Sequence, residues 1–198
     1  MPAEFVALKS VIDKLVSPPA NQWENFAALF TSRKLDRGNF FVRAGGEACS
    51  LCFVNAGLLR FFYQTSDGKE FNKSFSKENE FAGNYSAYLT GTESRFSIQA
   101  VEESHLLVAD FADIVALYAR HPCWERLGRS MAEQLYVKKE QREAEFLLDD
   151  AETRYRNFLA RHPGLEQRLT QYQVASYLGI TPVALSRIRN RSTGRART

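Results

Sequence analysis

The stretch Leu169-Thr170-Gln171-Tyr172-Gln173-Val174-Ala175-Ser176-Tyr177-Leu178-Gly179-Ile180-Thr181-Pro182-Val183-Ala184-Leu185-Ser186-Arg187-Ile188-Arg189-Asn190-Arg191 contains two helical patterns and the break between them. Thr170 suits the N-cap of the first helix, whose apolar positions Val174, Ala175 and Leu178 share one face. Ala175 is small where two helices would cross closely. Gly179 can take a positive φ and so ends that helix. Thr181 caps the next helix, and Pro182 suits its first turn, where a missing N–H leaves no bond unmade. In this second helix Ala184, Leu185 and Ile188 fall inward, while Pro182, Val183, Ser186, Arg187, Asn190 and Arg191 lie on or beside the opposite surface. A helix, a sharp glycine turn and a second capped helix form the helix-turn-helix pattern. Guanidinium groups on the outer surface suit guanine edges and phosphates, and Ser and Asn add shorter polar contacts. A plain helical hairpin would share the caps and the inner face, but would not need a second helix so free of acids.

Charge supports the same reading. Residues 168–198 hold six arginines, Arg168, Arg187, Arg189, Arg191, Arg195 and Arg197, and no acid. The whole chain carries a net +3, so the remainder is mildly acidic. A basic end on an acidic body suggests a polyanionic partner, and charge alone suits a solvated or disordered cationic terminus equally. With 198 residues, 44 % hydrophobic and 25 % charged, the chain suits a soluble globular fold with one large core and a small appendage. No apolar run reaches the roughly 18 residues a membrane span needs, and MPAEFVALKS lacks the basic-then-apolar order of an export signal. A cytoplasmic protein with no membrane partner is expected.

Cys49, Cys52 and Cys123 are odd in number, which argues against a disulfide framework. Cys49 and Cys52 form a C-x-x-C, but within a strand-like run an offset of three puts them on opposite faces. His105, His121 and His162 lack the close spacing of metal ligands, so no metal site and no catalytic residue are assigned.

Upstream, residues 3–16 place Phe5, Leu8, Val11, Ile12 and Leu15 on one helical stripe, ended by Ser17-Pro18-Pro19. A short helix follows through Trp23, Phe26 and Phe30. From about Arg33 the period shortens: β-type runs at 40–42, 51–54, 58–63, 71–75, 96–101 and 105–109 alternate with Gly-containing turns. Such spacing predicts an antiparallel β-roll or jelly roll. After Asp110 a short helix spans 111–119 and a long one 123–148. The first half of the long helix carries a seam at Trp124, Leu127, Met131 and Leu135, and its second half is polar. The seam fits pairing with a second copy, or packing on its own barrel. The expected architecture is α+β: a β-roll sensor over 1–120, a dimerisation helix over 121–148 and an all-α helix-turn-helix domain over 149–198.

This order resembles the Crp/Fnr superfamily, the regulators related to the bacterial cyclic-AMP receptor protein. The resemblance covers nearly the whole chain. Locally, Phe53-Val54-Asn55-Ala56-Gly57-Leu58-Leu59-Arg60 is similar to the family's strand-turn-glycine-strand signature, and Thr170 to Asn190 to its DNA-reading motif. The resemblance implies a homodimeric transcription regulator, not an enzyme, on palindromic double-stranded DNA, and admits RNA polymerase as a further partner. By the same match Thr170 and Gln171 would hold phosphates, with Pro182, Val183, Ser186 and Arg187 facing base edges. Thr181, Arg189, Asn190 and Arg191 complete the expected DNA-binding set.

Two regions depart from the family. Cyclic-nucleotide binders carry a Gly-Glu pair and, about ten residues later, an Arg-Ser or Arg-Thr pair, for ribose and cyclic phosphate. Here Gly83-Asn84-Tyr85 replaces the first and Ser94-Arg95 reverses the second. A one-residue slip in a strand turns a side chain to the other face, which would aim Arg95 away. The Thr-Ser pair that touches adenine corresponds to Lys139-Glu140. These positions form a degenerate pocket in which cyclic AMP in its usual mode is not expected and no cofactor is assigned. The other departure follows the second helix, where no strand pair fits the family's wing. Arg195 and Arg197 there suit a phosphate or minor-groove arm. A cupin-like enzyme would need clustered His and Glu that the sequence lacks. A sensing module acting through a protein partner, without DNA, is the alternative.

Overall fold

The computed structural model describes residues 2–195, the side chains of 192–195 excepted. The arm read from Arg195 and Arg197 therefore lies outside the described residues. Two compact units emerge, one of Met1–Phe61 with Phe75–Tyr136, the other of Phe62–Ser74 with Val137–Thr198.

The strands are β1 (Thr31–Leu35), β2 (Phe40–Val42), β3 (Ser50–Ala56), β4 (Leu59–Gln64), β5 (Glu70–Ser76), β6 (Phe81–Gly83), β7 (Ser97–Ala100) and β8 (Ser104–Asp110), of which the part of β4 and β5 within Phe62–Ser74 belongs to the second unit and the rest to the first. They form two four-stranded sheets, ordered β1-β8-β3-β6 and β2-β7-β4-β5. The β1–β8, β2–β7, β3–β6 and β3–β8 pairs are antiparallel. β3 is buried on both faces, which explains its unbroken apolar run. Cys52 and Val54 pack with Leu59, Phe61, Phe96, Ile98 and Leu106. Leu51 and Phe53 pack instead with Leu8 and Ile12 of α1 (Val6–Leu15) and Trp23 and Phe26 of α2 (Ala20–Ala27). The same alternation leaves Cys49 exposed and Cys52 buried, and burial pushes the Cys52 thiol pKa far up.

Gly57 closes the turn between β3 and β4 at φ +103°, and a Cβ there would lie 2.6 Å from the Ser104 Cα. Backbone cannot yield as a side-chain tip can. Gly57→Ala is expected to destabilise the first unit by at least about 3 kcal/mol, as strain and overpacking act together. Urea unfolding followed by tryptophan fluorescence measures this.

α3 (Tyr85–Thr90), α4 (Phe111–Ala116) and α5 (Pro122–Leu148) follow. The four residues expected at the dimer seam lie in different surroundings. Trp124 and Leu127 belong to the protomer's own core, where the Trp124 ring stacks on Phe26 at 4.6 Å. Met131 packs partly against the same cluster, whereas Leu135 is 42 % exposed.

The second unit contains the end of α5, α6 (Ala151–Arg161), α7 (Gln171–Leu178) and α8 (Pro182–Arg195). The compact units divide at Tyr136, earlier than the boundary expected at 148. The cause lies in contacts of the last α5 turns: Glu145 accepts from Asn157 and pairs with Arg161, and Phe146 lies against Gly179. Asp150 caps α6 by accepting from the Thr153 N–H.

Candidate nucleic-acid interface

α7 begins with a full capping box. Thr170 Oγ1 accepts from the Gln173 N–H at 3.2 Å, and Gln173 Oε1 accepts from the Thr170 N–H at 2.9 Å. Val174, Ala175, Tyr177 and Leu178 are buried. Gly179 stands at φ 69° and ends the helix. After Ile180, Thr181 Oγ1 accepts from the Ala184 N–H at 3.2 Å and caps α8. The Gln171 amide donates to the Pro182 carbonyl at 2.8 Å, tying the start of α7 to the start of α8. Three of the residues expected to contact DNA thus also hold the motif together.

α8 divides into two faces. Leu185 and Ile188 are buried, and Ser186 is half-buried. Pro182, Val183, Arg187, Asn190 and Arg191 are exposed, with Val183 at 61 %. Val183, Arg187 and Asn190 recur at helical spacing, so they share a side of α8. Arg189 has partners within the unit. Its guanidinium donates to Glu166 at 2.8 Å and pairs with it at 2.7 Å, while the Tyr155 hydroxyl donates to the same carboxylate at 2.6 Å. Burial, and then the bond to Glu166, push the Tyr155 phenol pKa up. Arg189 therefore ties α8 to the turn that carries Glu166.

The C-terminal end of α7 is held by two arginines absent from the sequence reading. Arg142 donates to the Tyr177 carbonyl and lies 3.6 Å from the centre of the Tyr177 ring. Arg154 donates to the Leu178 carbonyl at 3.1 Å and to the Asp149 carbonyl at 2.6 Å. Cations at the carbonyl end of a helix satisfy orphan acceptors and complement the dipole. Burial lowers the Arg142 pKa from its ordinary value.

In the first unit, Asn84 and Ser94 are both buried and hydrogen-bonded to each other at 2.8 Å. Asn84 Oδ1 also accepts from the Ala87 N–H and the Ser86 hydroxyl, and Ser94 Oγ donates to the Phe96 carbonyl. Arg95 is exposed. A Cβ on Gly83 would fall 2.9 Å from the Phe111 ring, and Tyr85 stacks in a cluster with Tyr88 and Phe111. Lys139 and Glu140 are exposed residues of the second unit. There, burial and the Lys139 charge bring the Lys73 pKa down to about 8. The structure thus brings together Asn84 and Ser94 as a mutually satisfied pair, without a cation or carboxylate between them.

Comparison with known proteins places this geometry. Residues 32–121 match the cyclic nucleotide-binding domain family. The anaerobic regulatory protein of Bacillus subtilis (strain 168) is 22 % identical over 104 residues, 52 % of this chain and 43 % of that protein, so the match spans less than half of that relative. FixK2 from Bradyrhizobium japonicum has a TM-score of 0.73 at 16 % identity, covering 84 % of this chain and 86 % of that one. A regulator assigned to the Crp/Fnr family from Eubacterium rectale gives 0.71 at 12 % identity, covering 90 % and 85 %. No described helix is long and apolar enough to cross a membrane. Residues 32–121 thus match the cyclic nucleotide-binding domain family, and the chain shares the fold of these two solved structures over most of its length.

Proposed function

We propose that the protein is a sequence-specific transcription regulator that binds palindromic double-stranded DNA as a homodimer in the cytoplasm, and is not an enzyme. The observation that carries this reading is the outer side of α8, where Val183, Arg187, Asn190 and Arg191 are exposed without an acidic neighbour on the helix. Arg187 suits the O6 and N7 of guanine, and Val183 the methyl group of thymine. Arg191 and the start of α7 around Thr170 and Gln171 suit phosphates. Leu135, Tyr136 and Val137 are exposed on a 27-residue helix, and a second copy laid along it would cover them. RNA polymerase is the further partner such a regulator would address.

Cyclic AMP in its usual mode does not suit a pocket where Asn84 and Ser94 satisfy one another. Any small-molecule control runs through a different ligand. Selecting bound fragments from a random duplex pool at moderate salt, with and without cyclic AMP, tests both parts. A palindrome with half-sites about 34 Å apart is expected, with no dependence on cyclic AMP. Enrichment of no sequence would overturn the DNA reading; strict dependence on cyclic AMP would overturn the pocket reading. Affinity for the palindrome should also fall about 10³-fold or more between 50 and 200 mM salt, because phosphate contacts release counterions.

A further inference from the structure

β5 is an edge strand of its sheet, so main-chain groups along its outer side need partners from elsewhere. At Glu70 and Asn72 they find one side chain of α7. The Ser176 hydroxyl donates to the Glu70 carbonyl at 2.9 Å and accepts from the Asn72 N–H at 2.9 Å. A hydroxyl carries one proton and two lone pairs, so it can serve both bonds, as the peptide groups of a neighbouring strand would. Two further contacts run alongside: the Asn72 amide donates to the Gln173 carbonyl at 3.4 Å, and the Tyr172 hydroxyl to the Glu70 carbonyl at 3.5 Å. Asn72 is 3 % exposed. Residues 62–74 consequently group with the C-terminal helices, although β4 and β5 continue by chain into the first unit. The exposed residues of α8 take no part in these contacts.

We propose that Ser176 is a positioning residue of the DNA-reading motif, fastening α7 to the β5 edge so that the β4–β5 hairpin fixes how the motif is held. This rests on the DNA-binding reading above. A dimer gains affinity for a palindrome only if its second reading helix is already placed for the second half-site, since that placement sets the effective concentration of the second binding step. A motif released from the hairpin keeps its own base contacts but loses this placement. Ser176 thus acts on the gain from two-site binding and leaves single-site binding alone.

The test uses the full chain, with Ser176→Ala and Ser176→Thr, against a selected palindrome and a duplex bearing one half-site. Alanine is a good helix former, so α7 is retained. For Ser176→Ala, hydrogen exchange at the Asn72 amide should rise about tenfold, as the loss of a hydrogen bond predicts. Palindrome affinity should fall about tenfold while half-site affinity stays within about twofold. Ser176→Thr keeps the hydroxyl and should restore both. An unchanged palindrome-to-half-site ratio in Ser176→Ala, with Asn72 protection lost, would overturn the positioning role. So would an Asn72 amide unprotected in the wild type. Wild-type protein that protects Asn72 yet binds neither duplex would overturn the DNA reading itself, and the positioning role with it.

Discussion

Arg187→Ala should lower affinity for the selected palindrome by about 1–3 kcal/mol at each half-site and flatten the preference at one base pair, because a bidentate guanine contact is worth about that much discrimination. Two half-sites in one dimer bring the total loss to about 30-fold or more. Affinity for random duplex should change far less, since phosphate contacts supply most of it. The informative contrast is Arg189→Ala, one helical position outside the exposed face. Its guanidinium is committed to Glu166, with Tyr155 on the same carboxylate. Removing it strands a largely buried carboxylate, so the expected loss is about 1–2 kcal/mol of stability, with sequence preference unchanged. Binding curves on palindrome, single-base variants and random duplex, paired with thermal unfolding, separate the two arginines. Equal losses on specific and random DNA for Arg187→Ala would remove it from base reading.

How much of this motif the sequence shows follows from where the partners of each residue lie. Thr170, Gly179, Thr181 and Pro182 signal their roles through neighbours within four residues, and the structure places each cap and the left-handed glycine where those local rules put them. Arg189 answers to Glu166, which lies 23 residues away on a short 3-10 turn with no periodic signature. Charge alone put Arg189 among the DNA contacts. The Ser176 bridge to β5 spans about a hundred positions and was invisible for the same reason. The pocket was half legible. The absence of the Glu and the reversal of the Arg pair could be read directly, but the Asn84–Ser94 bond that replaces them needed coordinates. β1 is not among the runs the sequence shows, because it is mostly exposed and polar, with burial only at Leu35. In the long helix, a stripe at spacings of three and four specifies a buried face without specifying what buries it.

The two halves of that stripe should therefore separate experimentally. Trp124 is 1 % exposed, its ring is stacked on Phe26, and its indole N–H donates to Gln22 at 3.2 Å. Trp124→Ala removes a large buried surface and leaves a cavity among Leu8, Ile12, Phe26 and Leu127, neighbours in one cluster. A loss of about 3–5 kcal/mol is expected. Because the cavity opens inside the protomer, the monomer–dimer equilibrium measured by sedimentation should hold while the unfolding midpoint drops. Leu135→Asp should do the reverse. Its side chain is already 42 % exposed in the protomer, so a carboxylate there perturbs the isolated chain little. Across a helix pair it would be buried facing its own symmetry mate, where an unpaired charge costs several kcal/mol. Leu135→Asp should thus shift the dimer towards monomer and abolish palindrome binding at low protein concentration, with single half-site binding retained. If Trp124→Ala instead dissociated the dimer and left the midpoint unchanged, Trp124 would belong to the interface after all; if Leu135→Asp left the dimer intact, the second copy would not lie along this part of α5.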